Sequence, residues 1–472
     1  LWLSRRATRA IAHVPDGASA AQQFHHRAMF LLRCVLIVGF GVLVLATPWP
    51  SWFTFGNVTP ELQILGDLIV LSPFVLGAIG IWAGAYPIEK RMREAASLWD
   101  VAAAAPPPGF RHYLDFQLRH QFLVVAAPLT LVLLAANLTS GYADALRAAL
   151  RSEFAPDFLL AAAAAGVFVA APLLLRRIWR TEPLPAGPLR ERLLSLCDRI
   201  GLRVRDILIW KSDGLMINAA VMGINGGLRY VLLSDALLAS MTPKQIEAVF
   251  AHEAGHVRHH HIPHFLMFAL SAWVLVAVLM EALAVLALRS PDSLVSLITI
   301  QTAGMLGTLA LWGIGFGWVS RRFERQADLF GARCAAPLDS SCEYPCSVHP
   351  DDATRLDQSG RVCATGAAIF ASALERVALL NGIPREERSW RHSSIASRIR
   401  FLLSLAADPS RAVRFERIVR RTQIIMLVIG LGGSAASLLY WRAVGTPALI
   451  RLQTGEPSSR MVSPIAQSER RP

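Results

Sequence analysis

Seven stretches of roughly twenty apolar residues constrain this chain more than anything else in it. They fall at 31–49, 64–86, 121–138, 157–175, 262–288, 297–319 and 423–441. Each is long enough for a helix rising ~1.5 Å per residue to cross a hydrocarbon layer ~30 Å thick. Inside such a layer every backbone N–H and C=O has to be satisfied within the segment, so these stretches read as helices. Trp49, Trp52, Trp82, Tyr86 and Trp441 lie near their ends, where aromatic belts form. A mean hydropathy of +0.42 and only 17% charged residues in 472 fit a polytopic membrane protein with modest water-exposed parts.

A net charge of +13 raises nucleic acid as a partner, but the distribution of the charge points to a membrane instead. With the N-terminus inside, the outer side carries eight of the 47 Lys and Arg. Among the short loops, 50–63 has none, whereas 87–120 has Lys90, Arg91, Arg93, Arg111 and Arg119. Loops after spans two, four and six are therefore expected at the cytoplasmic face of a cell inner membrane. The arginines at 411–421 read as anchors to acidic lipid, and no nucleic-acid partner is expected. The first span follows Arg5, Arg6, Arg9 and Arg27 without a small-residue cleavage site, which reads as a retained anchor.

The spans divide the chain. Residues 1–175 form a membrane region of four spans, and 176–422 a second segment, largely outside the membrane, interrupted by spans 262–288 and 297–319. The last span is 423–441, followed by a polar tail at 442–472. Within the second segment 206–211 alternates as a strand. Ile217–Ile224, the turn Asn225-Gly226-Gly227 and Leu228–Leu233 read as a β-hairpin. Asp67 and Glu281 fall inside spans, so either a hydrated chamber or a position near an interface is expected.

A helix is signposted next. Thr242-Pro243-Lys244-Gln245 supplies an N-cap, a proline at the first helical position and a glutamine to close a capping box. That helix carries His252-Glu253-Ala254-Gly255-His256. Histidines at i and i+4 share a face and can hold one metal ion, while the glutamate beside the first reaches a water on that metal. Alone, the pentapeptide is equally well read as packing histidines. A hydrolytic zinc needs a third ligand, and Ser320 to Asp328 begins where the sixth span returns the chain to the same membrane surface. Glu324 and Asp328 share a helical face there. Glu324 is the expected third ligand, and Asp328 the acceptor behind a ligand imidazole.

HEAGH, two spans and then SRRFERQAD resemble the membrane gluzincin family of HtpX and the CAAX prenyl endopeptidases, whose pattern is HExxH followed by ExxxAD. Asn218-Ala219 is similar to the family's substrate-gripping edge. Arg391-His392-Ser393-Ser394-Ile395 with Arg398 is similar to its His-Pro-Ser…Arg element, with Ser393 where proline is usual. The resemblance covers about residues 200–400. It implies a mainly α, polytopic membrane protein of about seven transmembrane helices with a cytoplasmic gluzincin-like zinc-peptidase domain and a small β-hairpin or sheet. It further implies one catalytic Zn2+ on His252, His256 and Glu324, Glu253 as general base and His392 as oxyanion donor. Arg398 would anchor Glu324 or Asp328, and Asn218 and Ala219 would bind substrate.

The expected activity is zinc-dependent hydrolysis of peptide bonds in membrane or membrane-associated proteins, either broad or confined to a specific peptide tail as in CAAX-type processing. The contrasting class is a non-catalytic transporter or receptor with a structural zinc. Cys334, Cys342, Cys346 and Cys363 in an insert at 334–363 invite a second structural metal or are unremarkable thiols. His259, His260, His261 and His264 could be rival ligands but, with the main spacing already complete, read as interfacial residues at the mouth of the fifth span. The substrate partner is a peptide or membrane protein within a lipid bilayer; oligomeric state is not legible.

Overall fold

The computed structural model describes residues 17–53, 60–99, 108–288, 293–336, 362–381 and 383–454. All seven apolar stretches lie in helices long and apolar enough to cross a membrane: Arg27–Ala46, Leu65–Arg91, Phe110–Gly141, Ala155–Ile178, His261–Ala287, Leu297–Cys334 and Ser410–Val444. The chain forms two compact units, residues 1–250 with 372–385 and residues 251–371 with 386–472.

In the first unit α1 (Gly17–Ala46) and α2 (Pro60–Trp99) precede α3 (Phe110–Gln117), which passes through a π-helical turn into α4 (Val124–Gly141). The short α5 (Ala143–Leu150) leads to α6 (Ala155–Ile178). A strand that alternation does not reveal, β1 (Thr181–Pro183), and the helix α7 (Pro188–Ile200) come next. The hairpin expected at 217–233 is present as β3 (Ala219–Met222) and β4 (Tyr230–Ser234), and the strand expected at 206–211 is β2 (Asp206–Trp210). The sheet order is β1-β2-β4-β3, with β2 and β4 parallel and the outer pairs antiparallel. Its turn is wider than a two-residue loop. Asn225 Oδ1 accepts from Gly227 N–H at 2.9 Å, and Gly223 at φ +103° lies so close to the Leu228 carbonyl that a Cβ would strike it.

β4 is buried along its whole length, as suits a central strand. Leu208, Trp210, Met222, Tyr230 and Leu232 pack with Leu175 and Trp179 from the end of the fourth span, so the sheet rests on that span. Trp210 Nε1 donates to His120 Nε2 at 2.8 Å, a second tie between the sheet and a span. Asp67 accepts from Asn137 Nδ2 at 3.3 Å. α8 (Asp235–Ser240) then leads to α9 (Pro243–Arg258), whose capping box is closed in both directions: Gln245 N–H donates to Thr242 Oγ1 at 3.3 Å and Thr242 N–H to Gln245 Oε1 at 3.1 Å.

The second unit begins within α9. α10 (His261–Ala287) and α11 (Ser293–Ala310) form the hairpin of spans five and six, and a π-helical turn at Leu311–Phe316 joins α11 to α12 (Gly317–Cys334). The helix α13 (Ala364–Leu380) comes next. α14 (Ile395–Ala407), α15 (Pro409–Leu427), α16 (Gly433–Val444) and α17 (Ala448–Thr454) complete the fold. Phe268, Ala272, Val319, Phe323, Val419 and Met426 form the core joining α10, α12 and α15. Ser271 Oγ donates to the Met426 carbonyl at 2.7 Å beside Gly430, the close helix approach that small residues permit in lipid. Glu281 accepts from Ala448 N–H at 2.7 Å, Leu449 N–H at 3.1 Å and Tyr440 O–H at 3.0 Å, and so caps α17.

Candidate metal centre

Two neighbouring helices build the site from residues of the second unit. α9 presents His252 and His256 on one face, and α12 presents Glu324 and Asp328 one turn apart. Gly255, between the histidines, is what lets the helices close. A Cβ there would stand 3.2 Å from both Ala327 Cα and Phe330 Cβ. Glu324 Oε2 is consequently 3.7 Å from His252 Nε2, Oε1 is 3.8 Å from His256 Nε2, and the two Nε2 atoms are 3.3 Å apart. A tetrahedral zinc with bonds near 2.1 Å sets its ligand atoms about 3.4 Å apart. The donor set of two imidazoles and one carboxylate therefore fits that ion in both chemistry and span. Among the described residues these three are the sole group that could hold a metal, their ligand atoms lying within 4.8 Å of one another.

Behind the first histidine stands a buried ion pair. Asp328 Oδ1 is 3.0 Å from His252 Nδ1, and Arg398 on α14 grips Asp328 with Nε at 2.8 Å and Nη2 at 2.5 Å. Arg398 Nη2 is also 3.9 Å from Glu324 Oε2. Of its two suggested partners, Asp328 is the one it grips. Asp328 is fully buried, and its carboxylate holds Arg398 charged in spite of burial. Burial alone would depress His252, but Asp328 outweighs it and raises its pKa. Burial and the neighbouring His252 lower His256 to about 4, so His256 is neutral at pH 7 and offers its lone pair without first losing a proton.

His392 lies on the loop before α14, its Nδ1 3.1 Å from Glu324 Oε2. Serine in place of proline at 393 leaves the loop well tied. Ser389 Oγ accepts from His392 N–H at 2.9 Å, and Trp390 Nε1 donates to the Gly313 carbonyl at 2.5 Å. Glu253 is half-buried on α9 and contributes to keeping Arg398 charged. Asn218 and Ala219 lie in the first unit, at the start of the edge strand β3. Asn218 N–H donates to Ser234 Oγ at 3.0 Å, and Asn218 Oδ1 accepts from Ala219 N–H at 3.0 Å.

A second, cysteine-bound metal has no support among the described residues. Cys334 and Cys363 are buried, while Cys342 and Cys346 lie outside the described residues. His261 is not interfacial. It is 1% exposed, packed behind His256 and stacked on Phe323 at 4.3 Å. Its place five residues after His256 is a spacing without meaning until the turn between α9 and α10 is known.

Residues 183–406 match the family model of Peptidase family M48. CAAX prenyl protease 1 of Saccharomyces cerevisiae is 33% identical over 91 residues, or 18% of this chain; the match spans 20% of that relative's length. The crystal structure of S. mikatae Ste24p aligns over 79% of this chain and 98% of its own at 15% identity, with a TM-score of 0.37.

Proposed function

We propose, from the match of residues 183–406 to the model of Peptidase family M48, that this chain is an integral-membrane zinc metalloendopeptidase. Its substrates are membrane or membrane-associated proteins. The observation that carries the reading is the convergence of His252, His256 and Glu324 on one point, with Glu253 next to His252 in the same helix and no fourth protein ligand among the described residues. A site closed by four protein ligands is structural, whereas three leave a corner for water. Zinc bound there supplies the Lewis acidity that brings water into the nucleophilic range at neutral pH.

Glu253 takes the proton of the attacking water and delivers it to the leaving amine. His392 donates to the developing oxyanion from the ring nitrogen that does not face Glu324; because the carboxylate already takes the proton on Nδ1, this role calls for the doubly protonated ring, and it is worth about 2.7–4 kcal/mol in well-built sites. Asp328 and Arg398 orient His252. β3, which pairs with a strand on one side alone among the described residues, accepts an extended peptide, with Asn218 and Ala219 at its start. The distribution of Lys and Arg supports an inner-membrane location with this chemistry on the cytoplasmic side.

The test is Glu253→Gln. It retains stoichiometric zinc and loses about 100-fold or more of casein or self-cleavage activity relative to wild type; a variant that still cuts removes the base from the scheme. The match to CAAX prenyl protease 1 favours a second, narrower reading in which a peptide tail is processed. Selective cleavage of a prenylated tail peptide with casein untouched would establish it.

A further inference from the structure

The two histidine ligands are backed in different ways. Behind His252 stands the Asp328–Arg398 pair; behind His256 stands a neutral chain. His256 Nδ1 is 2.8 Å from His261 Nδ1, and His261 Nε2 is 3.0 Å from Gln326 Oε1. The polarity of this chain follows from its far end. An amide oxygen only accepts, so His261 carries its proton on Nε2. A neutral imidazole then has a bare Nδ1, which accepts from His256 Nδ1–H. His256 Nε2 is left without a proton and faces Glu324 and His252.

We propose that His261 and Gln326 are positioning residues that fix the tautomer and ring angle of His256 and thereby set the metal affinity of the site. This rests on the zinc reading above. His261 is held for that task. Its ring lies flat on Phe323, 2° from parallel, and edge-on to His256 at 76°. The turn that delivers it is strained, since His260 adopts φ +53°, a left-handed conformation that side chains other than glycine seldom take. Because the chain is neutral, it orients His256 without adding a second carboxylate behind the metal. The charge drawn from the ion stays lower than it would with two carboxylate-backed imidazoles.

The experiment measures zinc affinity by chelator competition on the full chain in detergent, together with the visible spectrum of the cobalt-substituted protein. His261→Phe keeps the stack on Phe323 and removes the acceptor. A 10- to 100-fold loss of zinc affinity and a shifted cobalt spectrum are expected, in the range typical of partners behind metal ligands. Gln326→Met leaves both histidines in place and frees the polarity of His261; a smaller loss in the same direction is expected. Zinc affinity within twofold of wild type in both His261→Phe and Gln326→Met, with unchanged cobalt spectra, overturns the relay and leaves the zinc reading standing. A wild-type chain that binds no zinc overturns both.

Discussion

Arg398 is the side chain whose loss the site can least absorb, because Asp328 beneath it is fully buried and meets no water. Arg398→Leu strands that carboxylate and is expected to cost about 3–5 kcal/mol, read as a large fall in thermal midpoint in detergent. Arg398→Lys keeps the charge but loses the two-pronged grip, and falls between. Gly255→Val acts differently. It forces α9 off Ala327 and Phe330, and metal content should drop before stability does, as zinc analysis alongside thermal unfolding would show. At this scale the residues legible in the sequence are those at helical spacing. His252 and His256, and Glu324 and Asp328, announce a shared face. His261 and Gln326 do not, because their meeting depends on the left-handed turn at His260.

Elements divide along the same line. Hydropathy locates every span, since a bilayer leaves the backbone no alternative to a helix, and the hairpin is legible from alternation around Asn225-Gly226-Gly227. The π-helical turns at Leu118–Leu123, Leu311–Phe316 and Val428–Gly432 are not, since each is a one-residue change in winding that leaves composition untouched. β1 is three residues long and owes its existence to pairing with β2. Glu281 shows how an ionisable residue in a span finds its reason in another element, here the N-terminus of α17. Glu281→Leu removes the acceptor for two backbone N–H groups and Tyr440. The segment after Val444 should then become markedly more sensitive to limited proteolysis, while Glu281→Gln, which keeps one acceptor oxygen, retains part of the protection. Equal digestion of wild type and Glu281→Leu would show that the cap does not hold α17.

For the whole molecule, seven candidate spans and the asymmetry of Lys and Arg carry the proposal that the turn after α9 faces the cytoplasm. A cysteine introduced at the exposed Arg258 should react with an impermeant maleimide in inside-out vesicles and resist it in right-side-out ones; the reverse pattern would invert the topology. The proposed function rests on a single ion held by three side chains with one corner open to water. X-ray absorption on the zinc-loaded chain reads that directly. Two imidazole nitrogens, one carboxylate and one water oxygen at about 2.0–2.2 Å are predicted; a shell closed by a fourth protein ligand, or one containing sulfur, would contradict the account.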